Sequence, residues 1–209
     1  MGFWIVSGPS SAGKSTFLAS PRCSEITGCP SPHPTVFPKD LLDGKAVPSD
    51  TWFFHYNNLR PIEIMADTNL AMHPLLRRLG GFGDLWITKK LLDKDPVPQC
   101  LNCWRDPGWE AALCLPDAPL GAVILVATAA TLKSRAQNRK VVENSPFSRS
   151  ADVYPSAKWA RICAKVDMSA VYQLWNNELK RRGIPVAFLD ATDFAFRPIS
   201  EAEALGFRR

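Results

Sequence analysis

Residues 3–19 decide the fold: Phe3-Trp4-Ile5-Val6-Ser7-Gly8-Pro9-Ser10-Ser11-Ala12-Gly13-Lys14-Ser15-Thr16-Phe17-Leu18-Ala19. The apolar run 3–6 suits a buried parallel strand. Gly8 to Ser15 fits G-x-x-x-x-G-K-[ST] at every position. Ser15 to Ala19 can open a helix. Strand, glycine loop and helix together give this spacing its chemistry. The loop turns its backbone N–H groups inward around phosphate oxygens. Gly8 and Gly13 permit the backbone angles and the close approach. Lys14 reaches the β- and γ-phosphates and the Ser15 hydroxyl coordinates Mg²⁺. The expected cofactor-binding set is therefore Gly8, Pro9, Ser10, Ser11, Ala12, Gly13, Lys14, Ser15 and Thr16. Lys14 is also a catalytic candidate, and Ser15 is the metal ligand.

From Ser7 to Thr16, Ser-Gly-Pro-Ser-Ser-Ala-Gly-Lys-Ser-Thr resembles the P-loop of the small nucleotide- and nucleoside-kinase-like NTPases. Guanylate kinases and chloramphenicol-phosphotransferase-like enzymes carry similar loops. The resemblance implies an α/β fold of three layers, with a central, mainly parallel sheet flanked by helices. It also implies ATP and Mg²⁺ as cofactors.

Pro119 to Arg139 is a second region similar to such kinases. Ala122-Val123-Ile124-Leu125-Val126 reads as a central strand. Thr131 is positioned to cap a helix carrying Arg135 and Arg139 at i, i+4. By resemblance to the lid of P-loop kinases, these arginines close over the phosphates and stabilise charge on the transferring group. Read from spacing alone, they are equally a solvated basic face. The loop 144–150 that follows is a candidate lid, with Arg149 as a third arginine. Ser156 to Gly183 has helical periodicity. Ile184 to Asp190 reads as a strand. By resemblance the loop after it, with Asp190 and Thr192, contacts the adenine ring. Four apolar residues before Asp190 also match a Walker B pattern.

The acceptor side is less sharply written. Pro21 to Asp50 reads as largely loop, with Thr35-Val36-Phe37 a short strand. Trp52-Phe53-Phe54-His55-Tyr56 reads as a stronger one. Strand ends beside the phosphate loop are where parallel α/β sheets place ligands. Asn57, Arg60, Asp50 and Arg149 are thus substrate-binding candidates. Asp40 and Asp50 are candidate bases, Asp40 the one placed among the catalytic residues; Asp43 is a poorer one. Asn57-Asn58 stands where an acidic residue is usual, and an amide is no base. His55, inside an apolar run, reads as a core histidine. Residues 61–79 suggest a helix and 85–88 a strand, while about 80–118 reads as an irregular acceptor-side or lid insertion in a single kinase-like domain over 1–209.

The chain has 209 residues, 25 Lys+Arg against 20 Asp+Glu, and a formal net charge of +5. With 46% hydrophobic and 22% charged residues it belongs to the globular class. Eighteen prolines argue against an all-helical bundle. The mild positive charge permits an anionic partner without selecting nucleic acid. No signal-peptide pattern and no apolar stretch of membrane-spanning length is read, so a cytoplasmic location without membrane attachment is expected. Cys100-Leu101-Asn102-Cys103 with Cys23, Cys29 or His33 could make a zinc site; reduced thiols are the plainer reading. No N/T-K-x-D motif marks a GTPase, and the loop lysine argues against a sulfotransferase. The leading expectation is an ATP- and Mg²⁺-dependent kinase acting on a small-molecule hydroxyl. The alternatives are a nucleotide-binding regulatory or interaction protein with little turnover, and a polynucleotide kinase.

Overall fold

A computed structural model of the protein describes residues 2–9, 11–58, 107–138 and 168–206. The described part is built on one six-stranded sheet of order β2-β3-β1-β4-β5-β6. The strands are β1 Gly2–Gly8, β2 Thr35–Val36, β3 Trp52–Asn57, β4 Ala118–Val126, β5 Val186–Asp190 and β6 Arg197–Ile199. All neighbours are parallel except β6, which pairs antiparallel with β5 at the edge. Pro198 is tolerated there because an edge strand does not need every N–H. The helices are α1 Lys14–Leu18, α2 Pro21–Thr27, α3 Pro38–Leu42, α4 Pro107–Leu113, α5 Ala129–Asn138, α6 Met168–Arg181 and α7 Glu201–Leu205. This is the mainly parallel, helix-flanked α/β architecture expected from the phosphate-loop signature.

The β1 run is central because it is apolar on both faces. Side chains alternate across a strand, so Phe3, Ile5 and Ser7 share one face with Trp52, Phe54 and Tyr56. Phe3 stacks on Trp52 at 4.4 Å between ring centroids. Further along that face, Tyr56 lies 5.1 Å from Trp109 and 5.1 Å from Trp175. These contacts dock α4 and α6 on the sheet. The Tyr172 hydroxyl of α6 accepts from the Ala127 amide at 3.1 Å and faces the same residue's carbonyl at 3.3 Å. The other face carries Phe53 and His55, against which His33 and Phe37 pack. There Trp4 lies across β4 because Gly121 has no side chain: a Cβ at 121 would sit 2.5 Å from the indole ring.

Several local expectations change. Pro21 to Asp50 contains two short helices, α2 and α3; proline at the first helical position starts each. Strand β4 begins at Ala118, four residues before the apolar run 122–126, and takes in Pro119 and Gly121. The cap of α5 is Thr128, not Thr131: the Thr131 amide donates to Thr128 Oγ1 at 3.2 Å. Residues 107–113, within the stretch read as irregular, form a helix whose Trp109 is buried in the core. Asn144–Ser150, the helix and strand suggested at 61–79 and 85–88, and the start of the helix read from Ser156 lie outside the described residues.

Candidate functional site

The phosphate-loop signature leaves the C-terminal end of the central strand, where strands β3 and β4 flank it. Two loop residues have left-handed backbone, Ser11 at φ 69° and Gly13 at φ 95°. Only glycine takes the second value without strain. A Cβ on Gly8 would come 3.0 Å from the Leu125 carbonyl and 3.2 Å from the Ala12 methyl. The loop therefore needs glycine at both ends for different reasons: left-handed φ at 13, close approach of β4 at 8. Lys14 is buried, 6% exposed, and its ammonium donates to the Gly8 and Pro9 carbonyls, each at 2.8 Å. The first bond of α1 runs from the Phe17 amide to the Gly13 carbonyl at 2.8 Å. The amides of Lys14, Ser15 and Thr16 thus lie in the first turn and have no intrahelical acceptor. A buried cation and the first-turn amide donors of a helix at one loop are complementary to polyphosphate oxygens. Ser10 lies outside the described residues.

The Ser15 hydroxyl is exposed and 3.5 Å from His55 Nε2. His55 is half-buried and packs 4.9 Å from Phe37. It stands beside the loop, so it is not the wholly enclosed core residue its apolar neighbours suggest. Asn57 is the register partner of Gly8, and the Asn58 amide donates to the Gly8 carbonyl at 3.3 Å. The Asn58 side chain is fully buried, and neither its Oδ1 nor its Nδ2 has a hydrogen-bond partner among the described residues. Its carbonyl accepts from Trp175 Nε1 at 2.7 Å. Asn58 is the functional candidate that sequence reasoning left without a task.

The two aspartates proposed as bases are placed differently. Asp40 is the third residue of α3. It accepts from the Phe37 amide at 2.9 Å and from Lys45 Nζ at 2.5 Å. Those two bonds, the lysine first, hold its carboxyl below the usual carboxylate range. A carboxylate with both oxygens engaged caps a helix and is poorly placed to take a proton. Asp50 precedes Trp52, whose register partner is Phe3. It therefore lies at the N-terminal edge of the sheet, the opposite end from the loop that follows Gly8. At ~3.3 Å per residue the strand carries it roughly 20 Å away.

Arg135 is neither a solvated cation nor aimed away from the loop. It donates to the carbonyls of Ala12 at 3.3 Å, Ala191 at 2.7 Å and Thr192 at 2.9 Å. Its guanidinium lies 3.5 Å over the Phe194 ring. One side chain on α5 thus ties the phosphate loop to the turn after β5. Asp190 ends β5 and accepts from the Thr192 amide at 2.9 Å. Its other oxygen is 3.6 Å from Arg197. It sits two strands from β1, with β4 between, and its carboxylate closes its own turn instead of facing the loop as a Walker B residue would. Arg60, Arg139 and Arg149 lie outside the described residues.

No protein-family model matches the sequence, and no curated protein matches it. Among solved structures the chain is similar to a deoxyadenosine kinase from M. mycoides with bound dATP. That likeness has 10% identity and a TM-score of 0.43 over 99% of this chain and 96% of that one.

Mg²⁺ takes oxygen ligands and keeps several waters, leaning on substrate phosphates. Ser15 fits one such position, and Asn57 can act through water. No cluster of three His, Cys, Asp or Glu suited to a metal occurs among the described residues. The Ser15 hydroxyl at the phosphate loop fits an ion carried in with phosphate. Cys100 and Cys103 of the zinc reading lie outside the described residues. His33, one of the further ligands offered with Cys23 and Cys29, has both ring nitrogens committed: Nδ1 to the Leu18 carbonyl at 2.7 Å, Nε2 near Ser24 Oγ and the Cys29 carbonyl, each at 3.2 Å. The basic run Lys180-Arg181-Arg182 is paired with Glu201 and Glu178. No helix among the described residues is long and apolar enough to cross a membrane.

Proposed function

We propose that the protein is an ATP- and Mg²⁺-dependent phosphotransferase that moves the γ-phosphoryl group to a hydroxyl of a small molecule. The observation that carries this reading is the loop from Gly8 to Lys14. It has left-handed Gly13, an enclosed lysine and first-turn amides without intrahelical acceptors, all at the C-terminal end of a central parallel strand. When nucleotide arrives, Lys14 exchanges its two loop carbonyls for phosphate oxygens, and the loop amides take the remaining ones. Ser15 would hold Mg²⁺, which would supply neutralisation of phosphate charge. Phosphoryl transfer through a loose transition state asks mainly for positioning and charge, so a strong base is not essential. This suits a site where Asn57 stands at the β3 end, where Asp40 is engaged by Lys45 and the Phe37 amide, and where Asp50 lies at the far edge of the sheet. Asn57, with Arg60 and Arg149, is assigned to the acceptor. Arg139 is assigned to charge on the transferring group, and Arg135 to holding the loops.

The test compares wild type with Lys14→Ala for ATP binding by calorimetry and for transfer of labelled γ-phosphate to a panel of hydroxyl compounds. Loss of both is expected. Survival of both refutes the assignment. A second reading is favoured by Asn57 at the strand end: nucleotide binding for regulation with little turnover. Tight ATP binding without hydrolysis or transfer across the panel would decide for it. The paired state of residues 180–182 argues against a polynucleotide acceptor, and binding of an oligonucleotide that weakens steeply with salt would restore that option.

A further inference from the structure

Side chains alternate along β3, so Phe53, His55 and Asn57 share one face of the sheet. Ser15 meets that face at His55. Phe53 is fully buried. His55, one pleat nearer the phosphate loop, is half-buried, and its Nε2 comes 3.5 Å from Ser15 Oγ. The imidazole is supported from behind. Its ring centroid lies 4.9 Å from that of Phe37, the residue that starts α3. The Phe37 amide is tied in turn to the Asp40 carboxylate at 2.9 Å. Strand and ring together fix Nε2 beside the second residue of α1.

Ser15 and His55 stand wider apart than a good hydrogen bond, which closes to roughly 2.7–3.2 Å. Two ligands each about 2.1 Å from one ion lie about 3.0 Å apart across an octahedral angle and about 3.4 Å apart across a tetrahedral one. The observed 3.5 Å is close to the spacing of neighbours on a shared ion.

We infer that His55 Nε2 is a ligand to the divalent ion that accompanies the nucleotide, beside the Ser15 hydroxyl, and that the site prefers imidazole-accepting transition ions such as Co²⁺ to Mg²⁺. This rests on the phosphate-loop reading and deepens it, because the ion arrives with the phosphates. Mg²⁺ is a hard cation that takes oxygen ligands and gains little from a ring nitrogen. Affinity for a site containing nitrogen rises from Mn²⁺ to Co²⁺, and imidazole suits the later ions of the row. A neutral imidazole with its hydrogen on Nδ1 presents the Nε2 lone pair for this bond. A histidine that merely props Ser15 would serve every ion alike.

The experiment measures binding of ATP by calorimetry with saturating Mg²⁺, Mn²⁺ or Co²⁺, to wild type, His55→Ala and His55→Gln. Wild type is expected to bind the Co²⁺ complex about tenfold more tightly than the Mg²⁺ complex. Both variants are expected to weaken the Co²⁺ complex by about tenfold or more, since even outer-shell partners of a metal cost that much. The loss should be smaller with Mn²⁺ and no more than about threefold with Mg²⁺. Pulsed electron paramagnetic resonance of the Mn²⁺–ATP complex, on protein carrying ¹⁵N-histidine, reads the bond directly. Wild type should show a ¹⁵N coupling, distinct from the ¹⁴N of the adenine, and both variants should lose it. A wild-type complex without that coupling overturns the inference, as does an unchanged Co²⁺–ATP affinity in the variants. Parallel losses with all three ions make His55 a prop for Ser15 and overturn it as well. In each of these cases ATP still binds and the phosphate-loop reading stands. If wild type binds ATP with none of the three ions, both readings fall together.

Discussion

Replacing Arg135 separates two roles that the same residue type can play. A guanidinium aimed at the transferring phosphate contributes to the rate and little to folding. A guanidinium bonded to protein carbonyls contributes to folding, and to the rate through the loops it holds. The structure puts three carbonyls on Arg135, Ala12 at 3.3 Å, Ala191 at 2.7 Å and Thr192 at 2.9 Å. It adds the Phe194 ring at 3.5 Å. Hydrogen bonds from a charged donor contribute about 1.5–3 kcal/mol each when well buried. These are half-buried and share one donor group, so together about 2–3 kcal/mol is reasonable. The ring contact adds about 0.5 kcal/mol at this exposure. Arg135→Ala should therefore lose about 3 kcal/mol, which for a chain of this size lowers Tm by roughly 6–12 °C. Arg135→Lys keeps the charge but not the fork, and should recover less than half of that loss. Thermal unfolding followed by circular dichroism reads both variants. Arg135→Ala melting within about 2 °C of wild type, with phosphoryl transfer down by orders of magnitude, would refute the brace and restore the charge-stabilising role.

Gly13→Ala forces a methyl group onto left-handed backbone at φ 95° and within 2.7 Å of the Phe194 ring. The backbone term alone is about 1–2 kcal/mol, and tripolyphosphate affinity measured by calorimetry should fall more than the fold stability does. Asp40 is depressed from its ordinary 3.8 by Lys45 and the Phe37 amide. A carboxylate depressed in the folded state stabilises above its unfolded value, and that contribution fades as pH falls through the folded one. Asp40→Asn should accordingly be less stable than wild type in urea at pH 7, and the gap should close as the pH drops below about 3.8. Burial pushes the Cys23 thiol up to about 11, whereas Cys114 is exposed. Iodoacetamide at pH 8 followed by peptide mapping should label Cys114 in the native protein and Cys23 only after unfolding.

The phosphate loop was legible because its function is performed by the backbone. Glycines at 8 and 13 are needed for geometry that side chains would block, so the spacing itself carries the structure. The central strands were legible for a similar reason: burial on both faces demands continuous apolar runs, and residues 3–6 and 122–126 supply them. Asp40, Asp50 and Arg135 were not legible, because a charge in a sequence does not say which partner it has. Asp40 lies four residues after Val36 in a region rich in prolines, a setting that a loop base and a helix cap share equally. Asp50 lies just before an apolar strand, but a parallel strand brings its end to the loop, not its start. For Arg135 the deciding partners lie 123, 56 and 57 residues away, and all three are main-chain carbonyls that no residue type advertises. Phe194 belongs with these. Its sequence setting, Asp193-Phe194-Ala195-Phe196, gives two equivalent aromatics, and only the fold buries one against Phe17 and leaves the other against Arg135.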